Sequence, residues 1–376
     1  MRVRLKDVAR ALNLSISTVN AALRNRADIS EATRQRVFKK AKELNYLPNW
    51  VARSLVTQRT NVLGVVVPDL SRSFFTEVMK GVDIVASGAG YHLVLCNTGE
   101  DPNRESEEIQ TLIAKQLDGL IIASARDPSN NGAWRELAKW GVPFVLIDRY
   151  FTSAPFIGVD DEQIGYLATN HLIAQGYRNI AHLRGPHLST GNGRFRGYLK
   201  ALREHGMRVR RDHIVDAMFH DEQSGYEGTK LLLRRSPVPD ALFAASDPIA
   251  IGAMQTLLEQ GLRLPEDCGL IGVGKNRYGE RLQVPLSTID QHRTEIGKVA
   301  ARTLLGLIEG ETPCRDPILI EPTLIVRKSS ARLPADRLLA AVRPFGQRSS
   351  IAPSPLRSRR LPGSVDKAEA SPRKAP

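Results

Sequence analysis

Short, continuous runs of apolar residues recur along the middle of this sequence, and stretches of helical length separate them. The first series lies at residues 62–67, 93–96, 120–123 and 144–147, and a second series lies at 180–183, 241–244 and 270–273. A strand that is apolar on both faces must be covered on both faces, which is typical of a parallel sheet between layers of helices. The pattern therefore predicts two successive α/β lobes.

Two such lobes that face each other enclose a cleft, because open parallel sheets bind ligands beyond the carboxyl ends of their strands. At 376 residues the chain is long enough for both lobes and a further small domain. Candidate binding residues are therefore expected in the loops that follow the strands.

The net charge of +13 is concentrated at the two ends of the chain. Residues 1–60 contain 13 Lys and Arg against 4 Asp and Glu, and residues 331–376 contain 10 against 3, whereas residues 61–330 contain 30 against 33. A compact basic segment joined to a near-neutral globule indicates a nucleic-acid-binding module attached to a domain with another task. The first sixty residues are therefore candidates for binding DNA.

Two short helices joined by a tight turn are predicted within this basic segment. Helix 1 covers residues 5–12 and helix 2 covers residues 16–23, each with one apolar face. Between them, Asn13 suits the left-handed backbone of a turn and Ser15 suits the cap of the second helix. A third helix over residues 31–45 closes a small core. This arrangement is a helix-turn-helix, whose second helix lies in the major groove of DNA.

Several segments resemble the lactose and purine repressor (LacI/GalR) family of bacterial transcriptional regulators. They are LKDVA at residues 5–9, Ser15 with Thr18 and Val19, NYLPN at 45–49 and ARSL at 52–55. The resemblance continues to about residue 330. It implies an all-α headpiece at 1–47, a hinge helix and linker at 48–60, and a two-lobed effector-binding and dimerisation domain at 61–330, which resembles periplasmic binding proteins and is Rossmann-like.

The family also implies the DNA contacts. The candidates in the headpiece are Ser15, Ile16, Ser17, Thr18, Asn20, Ala21, Arg24 and Asn25, and those in the hinge are Ala52, Arg53 and Leu55. The hinge would become helical on operator DNA and pair with its twin in a homodimer, and Leu55 would insert between base pairs in the minor groove. The alternative for Leu55 is a linker residue in an interdomain contact.

The base-reading positions Ile16, Ser17 and Ala21 include no long hydrogen-bonding side chain, and Arg4 replaces the family's threonine cap of helix 1. Ile16 and Ala21 favour contacts with thymine methyl groups, whereas Ser17 can bond a donor or an acceptor. Specificity is therefore expected to depend on methyl contacts and on how easily the operator centre deforms. The expected operator is pseudo-palindromic, since a two-fold protein matches a two-fold site.

In the two-lobed domain, the family fold implies crossings between the lobes near residues 159–161, 288–291 and 318–323. The N-lobe would then comprise about 61–159 and 292–318, and the C-lobe about 161–288 and 321–330. The effector positions carried over from the family are Phe74, Phe75, Asp148, Arg194, Phe219, Asp247 and Gln291. Aromatic faces would stack on a ring of the effector, while Arg194 and Asp247 would hold its polar groups.

These candidates also have purely structural interpretations. Phe74 or Phe75 would belong to the core, and Asp247, which precedes a proline, would cap a helix. Arg194 would pair with Glu204 or with another carboxylate.

One position departs from the family pattern. After the apolar run at 269–273, relatives carry an effector-binding aspartate, whereas this chain has Gly274 and Lys275. Replacing an acceptor by an ammonium group favours an effector with a carboxylate or phosphate. Lys275 therefore joins the candidate effector-binding residues, and the expected effector is a sugar, a sugar acid or a sugar phosphate rather than a purine.

No catalytic, cofactor or metal motif accompanies these features. The glycine-rich segments at 191–193 and 272–275 lack the spacing of nucleotide-binding loops, no GxSxG or HExxH motif occurs, and the 8 His and 3 Cys are scattered. We expect no enzyme activity, no cofactor and no metal. With neither an apolar leader nor a run of eighteen apolar residues, a cytoplasmic, nucleoid-associated protein without a membrane partner is expected.

The tail at 331–376 is rich in Pro, Ser, Arg and Ala, which predicts disorder. Its few leucines cannot supply a tetramerising heptad helix, so a dimer is expected. The main alternative to a ligand-responsive repressor of carbohydrate or related genes is a solute-binding receptor with the same lobes, which the basic headpiece and the missing signal peptide oppose. An enzyme on a Rossmann-like scaffold is the second alternative.

Overall fold

The computed structural model describes residues 3–23, 25–46, 59–126, 137, 139–150, 154–312, 314 and 316–332. Its N-terminal part is a three-helix unit, with α1 at Leu5–Leu12, α2 at Ile16–Leu23 and α3 at Glu31–Glu43. Val8, Val19 and Val37, one from each helix, are fully buried together. Helix α3 ends two residues before the predicted end, because Asn45 turns into the left-handed region with φ +49°. The predicted helix-turn-helix is confirmed.

The turn between α1 and α2 follows from its residues. Asn13 has φ +53°, which asparagine tolerates better than most side chains. Ser15 Oγ accepts a hydrogen bond from the N–H of Thr18 at 3.0 Å and so caps α2. At the start of α1, where Arg4 replaces a capping threonine, the Arg4 N–H donates to the Asp7 carboxylate at 2.9 Å. Asp7, the third residue of α1, therefore stabilises the first turn of the helix by accepting this hydrogen bond.

The N-lobe begins with alternating strands and helices. They are β1 (Val62–Val67), α4 (Ser73–Gly88), β2 (His92–Asn97), α5 (Pro102–Ala114), β3 (Gly119–Ile122), β4 (Phe144–Ile147) and β5 (Phe156–Val159). The strands pair in parallel in the order β5-β4-β3-β1-β2. Strands β3, β4 and β5 are buried along their whole length, as expected for strands with helices on both faces.

The C-lobe repeats this design. Its elements are α6 (Asp161–Ala174), β6 (Ile180–Arg184), α7 (Ser189–Glu204), a 3-10 turn (Arg211–His213), β7 (Ile214–Asp216), α8 (Glu222–Leu233), β8 (Ala241–Ala244), α9 (Asp247–Glu259), β9 (Gly269–Val273) and β10 (Ser287–Asp290). The strands pair in parallel in the order β10-β9-β8-β6-β7. Two lobes of α/β design are thus present, and the predicted fold class is confirmed.

The chain crosses three times between the two sheets. It leaves the N-lobe sheet after β5 and returns after β10, when α10 (Arg293–Ile308) packs against β3, β4 and β5. Strand β11 (Ile318–Ile320) then joins the N-lobe sheet beside β5, and β12 (Thr323–Ile325) pairs antiparallel with β10 in the C-lobe. The lobes are therefore linked by three short segments.

All seven apolar runs form strands whose ends differ from the predicted ends by at most one residue. The strands that the apolar runs did not predict, β5, β7, β10, β11 and β12, have three or four residues each and therefore little periodic signal. No helix in the described part of the chain combines the length and the apolar character needed to cross a membrane.

Neighbouring helices approach closely at glycines. A Cβ on Gly165 in α6 would lie 1.9 Å from the carbonyl oxygen of Arg194, and one on Gly197 in α7 would lie 2.0 Å from that of Glu162. The same reciprocal arrangement joins α4 to α10 through Gly81 and Gly297, and α8 to α9 through Gly225 and Gly252. Each pair of glycines lets two helix backbones come into contact. The spacing of the helices in turn determines where the residues at their ends lie.

Candidate functional site

A cleft of about 380 Å³ lies between the lobes, at the carboxyl ends of the parallel strands. The N-lobe lines it with the loop from β1 to α4 and the residues after β4. The C-lobe contributes the first turns of α7, the loop before α8, and the residues after β8 and β9, and the crossing after β10 closes one side. A volume of this size accommodates a small organic molecule.

Seven of the eight effector candidates line this cleft. They are Phe74, Phe75, Asp148, Arg194, Phe219, Asp247 and Gln291. They come from both lobes and from a crossing segment, so all three parts form the wall of the cleft.

The three phenylalanines differ in what they offer. Phe75 is buried to 2% exposure and packs edge-to-face against Phe74, with ring centroids 5.1 Å apart. Phe219 is 63% exposed. The core interpretation therefore fits Phe75, whereas Phe74 and Phe219 present ring surface that a ligand can cover.

Arg194 extends from α7 towards the cleft and is held by the protein itself. Its Nε donates to Asp161 Oδ1 at 2.9 Å and its Nη1 donates to the carbonyl oxygen of Ala245 at 2.7 Å. Glu204, one of the partners considered for it, instead accepts a hydrogen bond from the hydroxyl of Tyr166. The guanidinium group is thus fixed in place before any ligand arrives.

The positive charge of Arg194 acts on two nearby carboxyl groups and limits the rise in the pKa of each. Burial raises the pKa of Asp148 against the opposing effect of Arg149 and Arg194. Burial also raises the pKa of Asp161, to about 7, and Arg194 limits that rise. Asp148 lies directly after β4 with φ +64° and lines the cleft, where its Oδ2 is 3.8 Å from Arg149 Nε. A hydroxyl that donates to this carboxylate would stabilise its charged form.

Asp247 has a structural role in addition to its place in the cleft wall. It is 1% exposed, its Oδ1 accepts from the Thr288 hydroxyl at 2.7 Å, and its Oδ2 accepts from the Asn276 N–H at 2.5 Å. Burial raises its pKa, although both hydrogen bonds act in the opposite direction. The carboxylate therefore ties the loop after β9 to the start of α9.

Lys275 is not part of the cleft, which corrects the interpretation based on sequence. Its Nζ pairs with Asp290 Oδ2 at 2.8 Å in a neighbouring depression, and the side chain is 50% exposed. The backbone explains this, because Lys275 has φ +50° and Arg293 Nη2 donates to its carbonyl oxygen at 2.9 Å. The cleft wall at this point is formed by Gly274 and Asn276. The argument for an anionic effector therefore loses its basis.

The sequence reasoning missed several residues of the cleft wall, and three of them carry a polar atom that the described part of the chain leaves unsatisfied. Arg149, His220 and Ser246 each have a buried side-chain nitrogen or oxygen without a hydrogen-bond partner among the described residues, namely Arg149 Nε, His220 Nδ1 and Ser246 Oγ. A buried polar atom in this state costs about 1–3 kcal/mol unless a ligand or water satisfies it. All three directly adjoin a predicted residue in the sequence, which is the one signal that would have found them.

The DNA-binding candidates lie on and around α2. Ser15, Ile16, Ser17, Asn20 and Asn25 are exposed, and Thr18 and Ala21 are half-buried. Ile16 is 54% exposed, which is unusual for a large apolar side chain in a folded domain. The surface of α2 thus carries apolar and small polar groups.

The hydroxyl groups of Ser15, Ser17 and Thr18 and the side-chain oxygen of Asn25 already have partners. Ser15 Oγ lies 2.7 Å from Ser17 Oγ and 2.8 Å from Thr18 Oγ1, and Asn25 Oδ1 accepts from Arg34 Nη1 at 2.8 Å. A base contact by Ser17 must therefore share or replace its bond to Ser15.

The remaining DNA-binding candidates Arg24, Ala52, Arg53 and Leu55, the hinge helix, and the tail from residue 333 lie outside the described residues. Within the described ranges, no group of three or more His, Cys, Asp or Glu side chains is arranged to hold a metal ion.

Two family profiles match the chain and together cover both parts of the structure. Residues 4–49 match bacterial regulatory proteins of the lacI family. Residues 60–328 match the periplasmic binding proteins and sugar binding domain of the LacI family. Residues 50–59 separate the two matches, and the second match ends at residue 328.

Individual relatives are similar over nearly their whole length. A ribose operon repressor of Haemophilus influenzae is 37% identical over 328 residues, which cover 86% of this chain and 98% of that protein. The transcriptional repressor CytR of Escherichia coli is 32% identical over 333 residues, with 88% and 97% covered.

Among solved structures, the lac repressor dimer bound to operator and the anti-inducer ONPF has a TM-score of 0.81 and 26% identity, and the match covers 88% of this chain and 99% of that one. Because the similarity includes the helix-turn-helix as well as the two lobes, a solute-binding receptor is not favoured. The chain belongs to the LacI family of bacterial DNA-binding transcriptional repressors.

Proposed function

We propose that this protein is a homodimeric repressor that binds a pseudo-palindromic operator and changes its operator affinity when a small molecule occupies the cleft. The observation that carries the proposal is the cleft itself, whose wall is formed by both lobes and by the crossing after β10. A molecule that bonds to both lobes favours the arrangement in which the lobes fit it best. Such a bias, transmitted to the hinge segments, couples the cleft to the operator.

The proposed DNA contacts are those of the headpiece and the hinge. Helix α2 would lie in the major groove with Ile16 and Ala21 against thymine methyl groups, while Ser15, Ser17, Thr18, Asn20, Arg24 and Asn25 contact base edges and phosphates. Ala52, Arg53 and Leu55 would contact the minor groove at the operator centre. Two-fold pairing of the chains would place the two headpieces on equivalent half-sites.

The proposed effector is a sugar or a related small metabolite, and the proposed target genes serve its use. Support comes from the relatives: the protein from Haemophilus influenzae is named a ribose operon repressor, and a structure of the regulator CelR, with 29% identity and a TM-score of 0.66, is a complex with cellobiose. Phe74 and Phe219 offer ring surface for the apolar face of a sugar, and polar groups surround them.

A gel-shift experiment with the full-length protein tests the proposal. The DNA fragments are the region upstream of its own gene and the adjacent intergenic regions, with a shuffled fragment as control. We expect one fragment to bind at least about a thousandfold more tightly than the control at moderate salt, and more weakly as salt is raised. Added sugars should change that affinity. Equal binding to all fragments, or no response to any small molecule, would contradict the proposal.

A further inference from the structure

The two lobes begin their sheets in the same way. In the C-lobe, Asp240 lies directly before β8. Its carboxylate accepts hydrogen bonds from the N–H groups of Arg178, at 2.9 Å to Oδ2, and of Asn179, at 2.8 Å to Oδ1. These two residues precede β6, the neighbour of β8 in the sheet. An aspartate before one strand thus fixes the chain where it enters the neighbouring strand.

In the N-lobe, Asp118 occupies the equivalent place directly before β3. Its Oδ1 accepts from the N–H of Thr60 at 2.8 Å, and its Oδ2 accepts from the N–H of Asn61 at 3.0 Å. The Thr60 hydroxyl also lies 2.8 Å from Oδ1 and 3.1 Å from the carbonyl oxygen of Gln116. Thr60 and Asn61 precede β1, which pairs with β3. One carboxylate thus holds two consecutive residues of the chain by their backbone.

The two aspartates differ in what precedes the residues that they hold. In the C-lobe it is α6, a helix of the same lobe. In the N-lobe it is the segment 47–58, which leads back to the headpiece at 3–46. Arg59 adds a bond at 3.3 Å from Nη2 to the carbonyl oxygen of Ile308, through a long side chain that restrains the backbone less closely. Asp118 therefore lies where the segment from the headpiece attaches to the N-lobe.

The length of chain that this anchor restrains can be compared with DNA. Without the carboxylate, the next backbone bond to the lobe is the one that the Asn61 carbonyl oxygen accepts from the His92 N–H at 2.9 Å. Loss of the anchor would thus release Thr60 and most of Asn61, which span up to about 7 Å when extended. One base pair adds about 3.4 Å to the distance between two half-sites. Each headpiece would therefore gain a reach of about two base pairs.

We infer that Asp118 is a positioning residue for operator recognition: it fixes where the segment from each headpiece leaves the N-lobe, and so restricts a dimer to one spacing of half-sites. The inference rests on the proposed function, because it takes the two headpieces of a dimer to bind two half-sites. The spacing that a two-fold protein accepts depends on the distance between the points from which its two headpieces extend. The alternative for Asp118 is a purely structural role, like that of Asp240 in the C-lobe.

Hydrogen–deuterium exchange on the full-length protein without DNA tests the anchor. In Asp118→Ala we expect the amides of Thr60 and Asn61 to exchange at least about tenfold faster, since each loses its acceptor. The headpiece at 3–46 should keep the parental rates. Asp240→Ala should leave the amides of Thr60 and Asn61 unchanged. Parental rates at these two amides in Asp118→Ala overturn the inference.

Gel shifts with operators of altered spacing test the consequence. The fragment that the parent protein prefers is lengthened or shortened at its centre by one and by two base pairs. We expect the parent to bind the altered operators at least about thirtyfold more weakly than the natural one, and this preference to fall at least about fivefold in Asp118→Ala. Asp240→Ala is the matched control, because Asp240 is half-buried like Asp118 and has the same kind of partners. It should keep the parental preference.

A milder change keeps the test decisive if Asp118→Ala does not fold. Asp118→Asn retains one acceptor oxygen and can therefore hold one of the two N–H groups. We expect its spacing preference to lie at least about twofold below that of the parent and above that of Asp118→Ala. Thermal unfolding of each variant verifies that it is folded.

Three results of the gel shifts overturn the inference. They are a parental preference in both Asp118 variants, an equal fall in Asp240→Ala, and a parent protein that tolerates every spacing. Failure of the proposed function looks different, because the parent protein then prefers no fragment at all. The exchange experiment needs no DNA, so it still decides in that case whether Asp118 holds the segment from the headpiece.

Discussion

Two histidines of the C-lobe are buried and do not line the cleft. His171 is 3% exposed and its Nε2 lies 2.7 Å from Ser330 Oγ, and His182 is fully buried with Nδ1 donating to the carbonyl oxygen of Phe243 at 2.9 Å. Burial lowers the pKa of each to about 4. Both are therefore uncharged in the folded protein at neutral pH, and protonating them in place is costly.

Stability should accordingly fall in mild acid. In the unfolded chain each histidine binds a proton near pH 6.5, whereas in the folded chain it does so only near pH 4. Between these values the unfolded state holds more protons, so each histidine's contribution is present above pH 6.5 and is lost as the pH falls towards 4. We expect each to lower the free energy of unfolding by about 2 kcal/mol between pH 7 and pH 5.

Urea unfolding followed by circular dichroism at both pH values measures this. His171→Asn should reduce the loss between pH 7 and pH 5 by about 2 kcal/mol, whatever its effect at pH 7, because asparagine does not titrate. His187→Asn, on the surface, should leave the loss unchanged. An equal loss in the parent and in His171→Asn would contradict the assignment.

At the scale of elements, three helix pairs meet at reciprocal glycines, as described above. Gly165 and Gly197 place α6 against α7, and α7 carries Arg194 into the cleft. The geometry of the cleft wall thus depends on contacts made one helical turn away from it. Helix α7 thus takes part both in the helix packing and in the wall of the cleft.

The substitution Gly197→Ala tests whether the two roles are linked. The added methyl would lie 2.0 Å from the carbonyl oxygen of Glu162 and 2.5 Å from the backbone nitrogen of Tyr166, so the helices must move apart. We expect a loss of at least about 2 kcal/mol in stability and weaker ligand binding, because Arg194 moves with the helix. Urea unfolding and calorimetry measure the two effects.

Gly88→Ala is the matched control for this change. Gly88 is the last residue of α4, and nothing lies within 4 Å of the position of its Cβ. Alanine there should raise stability by up to about 1 kcal/mol through the loss of backbone freedom in the unfolded chain. If both substitutions changed stability equally, the close approach of α6 and α7 would not be the reason that position 197 requires glycine.

At the scale of the whole molecule, the headpiece and the two lobes perform different tasks in one chain. The exposed surface of α2 offers Ile16 and a Ser17 hydroxyl that is already bonded to Ser15. Such a surface reads few hydrogen-bonding groups on bases. We therefore propose that much of the operator specificity comes from the hinge and from deformation of the operator centre.

Comparing Leu55→Ala with Ser17→Ala tests whether the hinge contributes more to operator binding than α2 does. Leu55→Ala should weaken operator binding by more than about tenfold, since the apolar group that would hold the bent DNA open is lost. Ser17→Ala should weaken it by less than about threefold, because the hydroxyl has a partner within the headpiece. Gel shifts at one salt concentration measure both, and the reverse order would contradict the proposal.

The sequence by itself was sufficient for the parts of the fold that depend on local pattern. Runs such as 62–67 and 144–147 are apolar on both faces, and only a covered strand accommodates them. The turn at Asn13 and the cap at Ser15 follow from the conformational preferences of those two side chains. These features need no information from distant residues, which is why the helix-turn-helix and the two lobes were predicted correctly.

The tertiary structure alone decided which side chains of the strand-end loops face the cleft. Lys275 points away because its backbone is left-handed and Arg293, from the next crossing, holds its carbonyl group. His220 faces the cleft one residue from the predicted Phe219, and Arg194 finds Asp161 rather than Glu204. A shift of one residue in a loop changes which side chain enters a site. The direction of each loop is determined by contacts with segments far away in the sequence, on which local pattern carries no information.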